Sequence, residues 1–424
     1  MTKTPWLEAT SPAFRLMIAT SWLAPDSSMN HQELTIRQAI AASPDWAEYI
    51  RLVDRHRTPA VSWAALKRVP DLNIPEPIQA ELKKRSDSCR MLAVKHSLIL
   101  AEVLKAFNRA AIPVMPLKGP ILSFTLYGDI GLRQSHDLDL AVPQEDFFNA
   151  QSCLQNQGWR LGVDYFSLSP RQLQSCLLHE HHLGFLQPQG NCLLELHWRN
   201  QWEAPSLNSD RWARSIPSIW QGAAHQAMHP IDLVLYLCSH GAGHAWSRAK
   251  WLGDMARIHA EGRVDWEAVL LEARRTGQHR ALLACPCLLQ DVYGLPLPVL
   301  RGNPWKDMPS LLIDKPSSSL KDPKEPVVHS VMAALPGLLS RYRYNRMVHS
   351  QRTWRETVAE LAHCRVDFRV LRLPDRLFWA YVPLRPILWF WRRVLRRGPT
   401  GESFNSDSSP VSSAPPSSSP SHRS

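Results

Sequence analysis

The chain has 424 residues, 44% of them hydrophobic, which is enough for two or three domains with buried cores. Its formal net charge of +11 favours an anionic partner such as a nucleotide, a nucleic acid or a membrane surface, unless scattered arginines merely solvate the surface. The eight cysteines are spread out and form no C-x-x-C pair, so they support neither a zinc site nor a disulfide framework.

The first quarter of the chain is predicted to be helical and carries no identifiable chemistry. Its amino-terminal residues lack the basic region, apolar core and cleavage site of a secretory leader, and they indicate an amphipathic helix. Pro70, Pro75 and Pro77 interrupt the helical pattern before one long helix. The predicted helices are 13–23, 35–42, 45–56, 57–69 and 78–111, within an N-terminal helical region over residues 1–111.

Residues 112–200 are predicted to form a core in which short strands and helices build a small mixed sheet. The turn Gln-Pro-Gln-Gly at 187–190 separates two strand-like runs, which predicts an antiparallel hairpin. The predicted strands are 112–117, 136–142, 177–186 and 192–198, and the predicted helices are 120–127 and 144–157.

Two carboxylates stand two residues apart in the second predicted strand, in the sequence HDLDL at 136–140. Alternate side chains of a strand point to the same face, so Asp137 and Asp139 are expected to project together. Carboxylates held this close repel each other unless a cation lies between them, and a divalent ion such as Mg²⁺ takes oxygen ligands of this kind. The alternative is an exposed polar edge of a half-buried strand.

Basic residues flank this pair in the sequence. Lys118 and Gly119 form a predicted turn before a helix, where backbone amides and a positive charge suit an anionic phosphate chain. Arg133 lies in the loop before the carboxylates, and its guanidinium fork matches phosphate oxygens. The alternatives are a lysine that caps a strand end and a surface arginine. A further carboxylate, Glu195, lies on a later predicted strand.

Three stretches together, LKGPILSFTLYGD…GLRQSHDLDLAV, LLELHWR and HGAGHAWSRAKWLGDMARI, resemble the bacterial uncharacterised nucleotidyltransferase family of the polymerase-beta-like nucleotidyltransferase superfamily. The resemblance covers roughly residues 90–260. It implies that Asp137 and Asp139 bind metal, that Glu195 completes a catalytic triad, and that Lys118 and Gly119 lie at the triphosphate. The superfamily usually has Gly-Ser in this turn, so the serine contact to phosphate is missing here, although the subgroup shares the Lys-Gly form.

Two groups of histidines lie near these motifs: one cluster is His179, His181 and His182, and the other is His240 and His244. His240 and His244 are one helical turn apart, but no H-E-x-x-H pattern accompanies them, which argues against metalloprotease chemistry. With Trp246, Lys250 and Asp254 they are expected to form one face of a helical region over the nucleotide cleft, either in contact with ligand or in core or hinge packing. His197 shares the face of Glu195 and is interpreted as a partner of that carboxylate or a local acid–base group.

The remainder of the chain divides into a helical domain over residues 201–300, a Pro-, Ser- and Lys-rich linker over 301–326, and a C-terminal helical region over 327–397. A Ser/Pro-rich tail over 398–424 is predicted to be disordered. The apolar run within 377–397 has about 15 residues, short of the ~20 needed to span a bilayer. This basic, Trp-rich segment is predicted either to dock on the helical domain or to lie on an anionic membrane surface.

The sequence therefore predicts an α+β protein, with a small mixed β-sheet nucleotidyltransferase core flanked by N-terminal helices and a C-terminal helical domain. The predicted activity is transfer of a nucleoside monophosphate from a nucleoside triphosphate to an unidentified acceptor hydroxyl, with Mg²⁺ or Mn²⁺ as cofactor. The alternatives are a non-catalytic nucleotide-binding protein that keeps the fold and an accessory protein at the membrane surface. A cytoplasmic location is expected, with peripheral contact at the inner membrane surface left open, and no motif supports a nucleic-acid partner. The predicted catalytic and metal-binding residues are Asp137, Asp139 and Glu195, and the predicted nucleotide-binding residues are Lys118, Gly119 and Arg133.

Overall fold

The computed structural model describes residues 5–162, 168–190, 192–199, 207–302, 304–305, 308–321, 343–344, 347–348 and 365–391. Within these ranges, many helices surround a small mixed sheet, which confirms the predicted α+β class. No helix in these ranges combines the length and hydropathy that crossing a bilayer requires.

The amino-terminal part is helical, as predicted, and side chains cap the starts of α2 and α4. Ser11 accepts a hydrogen bond from the backbone N–H of Phe14, and Asp45 accepts from the N–H groups of Ala47 and Glu48, which satisfies donors that a helix start leaves unpaired. These helices are α1 (Pro5–Glu8), α2 (Pro12–Thr20), α3 (Met29–Ala41), α4 (Trp46–His56), α5 (Pro59–Lys67) and α6 (Glu76–Arg109).

A five-stranded sheet forms the centre of the fold, with spatial order β1-β2-β5-β4-β3. The pair β2 and β5 is parallel, and the other neighbouring strands are antiparallel. The strands are β1 (Met115–Pro116), β2 (Asp137–Ala141), β3 (Arg160–Leu161), β4 (His182–Leu186) and β5 (Leu193–His197). The helices between them are α7 (Gly119–Tyr127), α8 (Phe147–Asn156) and α9 (Pro170–His179).

The predicted hairpin is confirmed, but its first strand is shorter than expected. Residues 177–179 belong to α9, which begins with a reciprocal capping box between Ser169 and Gln172. The predicted strand over 112–117 is likewise reduced to Met115–Pro116, since proline has no N–H to give to a neighbouring strand.

The chain after the sheet is a second hairpin followed by helices. The elements are α10 (Leu207–Arg214), β6 (Ile216–Trp220), β7 (Ala223–Ala227), α11 (Pro230–Gly243), α12 (Ala249–Ala260), α13 (Trp266–Arg275), α14 (His279–Tyr293), α15 (Leu311–Lys321), α16 (Arg365–Val370) and α17 (Tyr381–Phe390). Helix α15 lies within the stretch predicted as a linker. The predicted tail over 398–424 lies outside the described residues.

The largest hydrophobic core joins the amino-terminal helices to the later helical region, because α2 packs against α14. The hydroxyls of Ser21 and Tyr293 are 2.8 Å apart. A Cβ atom on Gly253 would lie 2.4 Å from the carbonyl oxygen of Ser21, so this close approach requires glycine. The predicted boundaries between the N-terminal region, the core and the helical domain therefore separate segments that share one core, and those boundaries stay a prediction.

A buried histidine links the same two regions. The Nδ1 atom of His56, at the end of α4, accepts a hydrogen bond of 3.0 Å from the backbone N–H of Ala249, at the start of α12. Burial, together with the charges of Arg55 and Arg248, lowers the pKa of His56 to about 3. The imidazole is therefore neutral at neutral pH, as an acceptor nitrogen must be.

Candidate active site

The parallel pairing of β2 and β5 brings carboxylates from distant parts of the sequence to the same level of the sheet. Asp139 is the register partner of Glu195, and both side chains are buried. Asp137 begins β2 two residues earlier and is half-buried. The structure therefore gathers the three predicted acids along one pair of strands.

The predicted Lys-Gly turn lies directly beside these acids. The Nζ atom of Lys118 is 3.2 Å from Oδ1 of Asp139, and the backbone N–H of Leu117 donates to the carbonyl oxygen of Asp139 over 2.9 Å. Gly119 opens α7 with φ of +70°, a conformation that disfavours any residue with a Cβ atom. The turn thus holds an ammonium group against β2 at the start of α7.

Two histidines complete the arrangement. The Nε2 atom of His197 lies 3.3 Å from Oδ1 of Asp139 and 3.6 Å from Oε2 of Glu195. On the neighbouring strand, Nε2 of His182 lies 3.8 Å from Oε1 of Glu195. The sequence predicted His197 as a partner of Glu195, but it gave His182 no role, because only the hairpin register brings that residue across.

The charges of these groups are strongly coupled by burial. Burial, reinforced by Asp139 and Glu195, raises the pKa of Asp137 to about 7. Burial also acts to raise the pKa of Asp139, but the Lys118 ammonium and the His197 hydrogen bond hold it well below its usual range. Burial also acts to raise the pKa of Glu195, but His182 and His197 lower it below its usual value. Asp139 and Glu195 are therefore ionised at neutral pH, whereas Asp137 keeps part of its proton.

This donor set fits a divalent cation. The Oδ2 atom of Asp139 is buried and has no hydrogen-bond partner, a state that costs about 1–3 kcal/mol or more when nothing compensates it. Ligand atoms of Asp139, Glu195 and His197 lie within 4.8 Å of one another, and Asp137 stands outside this tightest group. Carboxylate oxygens are the ligands that Mg²⁺ and Mn²⁺ prefer, whereas an imidazole nitrogen suits transition-metal ions such as Zn²⁺. The carboxylates present therefore fit the predicted cofactor.

Arg133 has a partner that the sequence did not reveal. Its Nε atom donates to Oδ2 of Asp254 on α12 over 2.8 Å, and both side chains are buried. Burial acts to lower the pKa of Arg133, but the charge of Asp254 and, less strongly, that of Asp139 raise it above its usual value. Arg133 therefore ties the loop before β2 to the helical region, and its contact with phosphate stays a prediction.

Rings from α11 and α12 form a cluster that interacts electrostatically with the turn. The rings of His240 and His244 lie 5.3 and 4.9 Å from Trp251, between ring centroids. Tyr236 stacks on His240, and Lys118 Nζ is 6.0 Å from the Tyr236 ring centroid. Burial and the charge of Lys118 lower the pKa of His240 well below its usual value. The predicted helical face is thus assembled next to the lysine of the turn.

The fold and the site define an α+β protein whose small sheet presents acids on neighbouring parallel strands beside a Lys-Gly turn. A family model described as "Uncharacterised nucleotidyltransferase" matches residues 42–294, more than half of the chain, and the chain belongs to this family. The match confirms the predicted family and implies a nucleoside triphosphate as substrate. No curated protein and no solved structure matched the chain.

Proposed function

We propose that the protein is a metal-dependent nucleotidyltransferase that moves a nucleoside monophosphate from a nucleoside triphosphate to an acceptor hydroxyl and releases pyrophosphate. One observation carries this proposal: Asp139 and Glu195 face each other across two parallel strands, and a buried oxygen of Asp139 has no partner. Membership of the nucleotidyltransferase family supports the reaction class.

Asp137, Asp139 and Glu195 would hold Mg²⁺ or Mn²⁺. When bound, the cation would neutralise phosphate charge and polarise the α-phosphate, as divalent ions do in phosphoryl transfer. Burial raises the pKa of Asp137 to about 7, and the charges of Asp139 and Glu195 reinforce this shift, so a cation beside these acids would favour the ionised form. A proton on Asp137 would leave as the positive charge at the site increases.

Lys118 and Gly119 would bind the triphosphate. The lysine is buried against Asp139, and burial acts to lower its pKa, but the surrounding acids raise the pKa above its ordinary value. A permanently charged ammonium beside the first amides of α7 is a favourable environment for phosphate oxygens. Arg133 is proposed as a further source of positive charge near the nucleotide, acting from its buried position.

The reaction would proceed by in-line displacement at the α-phosphorus. The acceptor hydroxyl oxygen forms a bond to this phosphorus, and the bond to the oxygen that bridges to the β-phosphate breaks. The electron pair of the broken bond leaves with pyrophosphate. Glu195, which its lowered pKa keeps ionised, accepts the proton from the hydroxyl.

Calorimetric titration with each of ATP, GTP, CTP and UTP, in Mg²⁺ and in Mn²⁺, tests the proposal. The wild type should bind at least one nucleotide in a metal-dependent manner, and Asp137→Asn/Asp139→Asn should lose this binding. Glu145→Gln is the matched control, since Glu145 is an exposed carboxylate shortly after the same strand. Pyrophosphate release over a panel of sugar, nucleoside, protein and RNA acceptors then measures transfer. Failure to bind any nucleotide, or wild-type turnover in the double variant, would refute the proposal.

The ion pair of Lys118 with Asp139 favours one alternative function, which is nucleotide binding without catalysis. The pair already gives one carboxylate a positive partner. A protein of this kind would bind a nucleoside triphosphate and release no pyrophosphate with any acceptor. Measuring both quantities on the same preparation distinguishes the two functions.

Exposed apolar side chains favour a second alternative, peripheral contact of the 377–397 segment with a membrane. Tyr381 and Leu388 are buried against α9, so α17 docks on the protein. Trp379 is 64% exposed and Ile387 63%, and four arginines follow at 392–397, which lie outside the described residues. Flotation of the full chain with anionic liposomes, compared with the Trp379→Ser/Ile387→Ser variant, tests this contact. Equal flotation of both proteins, or none, would exclude it.

A further inference from the structure

Three imidazole rings form a compact group beside the acids. Ligand nitrogens of His181, His182 and His197 lie within 4.8 Å of one another. The ring centroids are 4.4 Å apart for His181 and His182, and 4.9 Å apart for His182 and His197. The group therefore has the dimensions of a metal site.

The hairpin explains why these rings meet. His182 is the register partner of His197 across β4 and β5, so their side chains share one face of the sheet. Consecutive residues within a regular strand point to opposite faces. His181 precedes β4, and its carbonyl oxygen accepts from the N–H of Trp198 over 3.1 Å. This position outside the strand accommodates its ring beside that of His182.

The chemistry of the group suits a cation rather than internal hydrogen bonding alone. The Nδ1 atom of His182 is buried and has no hydrogen-bond partner. His181 and His182 are half-buried, so solvent reaches the group. A carboxylate oxygen of Glu195, 3.8 Å from His182 Nε2, is available as a fourth ligand.

We propose that His181, His182 and His197 form a second metal site, which takes a transition-metal ion such as Zn²⁺ and adjoins the carboxylate site. Three imidazoles with one carboxylate or water make a tetrahedral zinc set, whereas Mg²⁺ prefers oxygen ligands. The two sites share His197 and Glu195, so occupation of one is coupled to the other. This inference goes beyond the proposed nucleotidyl transfer and does not depend on it, because the site is defined without a nucleotide.

Titration of the full chain with Zn²⁺, in competition with a chromophoric chelator and without nucleotide, tests the site. The wild type should bind one Zn²⁺ more tightly than any further ion. His181→Gln and His182→Gln should each weaken this binding at least about tenfold, given the effect of losing even an outer-shell partner. His179→Gln is the matched control, because His179 lies two residues away at the end of α9, outside the group. Unchanged affinity in the two variants would overturn the proposal.

Spectra of the Co²⁺-substituted protein provide an independent measurement. Tetrahedral nitrogen coordination should give strong visible d–d bands without a thiolate charge-transfer band. These bands should disappear in His182→Gln while its circular dichroism and melting temperature match those of the wild type. A thiolate band, or octahedral Co²⁺ alone, would place the ion elsewhere and refute the site. Asp137→Asn should retain the bands and lose nucleotide binding, so failure of one proposal is distinguishable from failure of the other.

Discussion

Removing either partner of the buried ion pair between Arg133 and Asp254 should strongly destabilise the protein. The Nε–Oδ2 distance is 2.8 Å, and the two side chains are 3% and 2% exposed. Removing one partner of such a pair costs about 3–5 kcal/mol, because the remaining charge stays buried without compensation. We therefore expect Arg133→Met to lower the free energy of unfolding by about 4 kcal/mol, measured by urea denaturation with circular dichroism.

A double-mutant cycle separates the pair from other effects of the substitution. Arg133→Met/Asp254→Leu removes both charges and should lose far less stability than the two single losses added together. Arg90→Met is a matched control, since Arg90 pairs with Asp129 at 49% and 32% exposure and such pairs contribute about 0–1 kcal/mol. A loss below about 1 kcal/mol in Arg133→Met would refute the reasoning from burial. If that variant also lost nucleotide binding, Arg133 would belong to the phosphate site.

Three further predictions test other contacts. The pKa of His56 is about 3 in the folded protein and near 6.5 in the unfolded chain, so the neutral imidazole stabilises the fold fully above pH 6.5 and less as the pH falls. Between pH ~7.5 and ~5, the free energy of unfolding of the wild type should fall by about 2 kcal/mol more than that of His56→Gln, measured by urea titration. Gly119→Ala and its control Gly128→Ala, with φ of +70° and +69°, should each cost about 1–2 kcal/mol, but only the first should weaken nucleotide binding in calorimetry. Lys118→Met leaves Asp139 without its ammonium partner, so the melting temperature of the variant should be lower than that of the wild type. Mg²⁺ or Mn²⁺ should raise the melting temperature of the variant more than that of the wild type, and equal increases would contradict the importance of the ion pair.

Local patterns carried much of the prediction. The alternation in HDLDL predicted that Asp137 and Asp139 share a face, and apolar patterns and prolines located the early helices. The family resemblance added Glu195, which spacing alone does not connect to the pair. The connection depends on the parallel pairing of β2 with β5, a long-range contact that no local signal specifies.

Two omissions also come from long-range contacts, whereas one error has a local cause. Asp254 is 121 residues from Arg133, so the loop sequence contains no sign of their ion pair. His182 enters the site only through the register of β4 with β5, which pairs it with His197. The predicted strand over 177–186 began too early, because the helix that starts at the capping box of Ser169 continues through 177–179. The apolar pattern of these residues also fits a strand.

The contact between Lys118 and Asp139 has a consequence for how the protein would behave in a cell that is short of divalent cations. Because Lys118 already balances the charge of the buried Asp139, the protein does not require a bound metal ion to stay folded. Loss of metal would then remove activity while leaving the amount of protein unchanged, and activity would return as soon as ions became available, without new synthesis. Cation supply would act on such a protein as a reversible control, separate from its degradation.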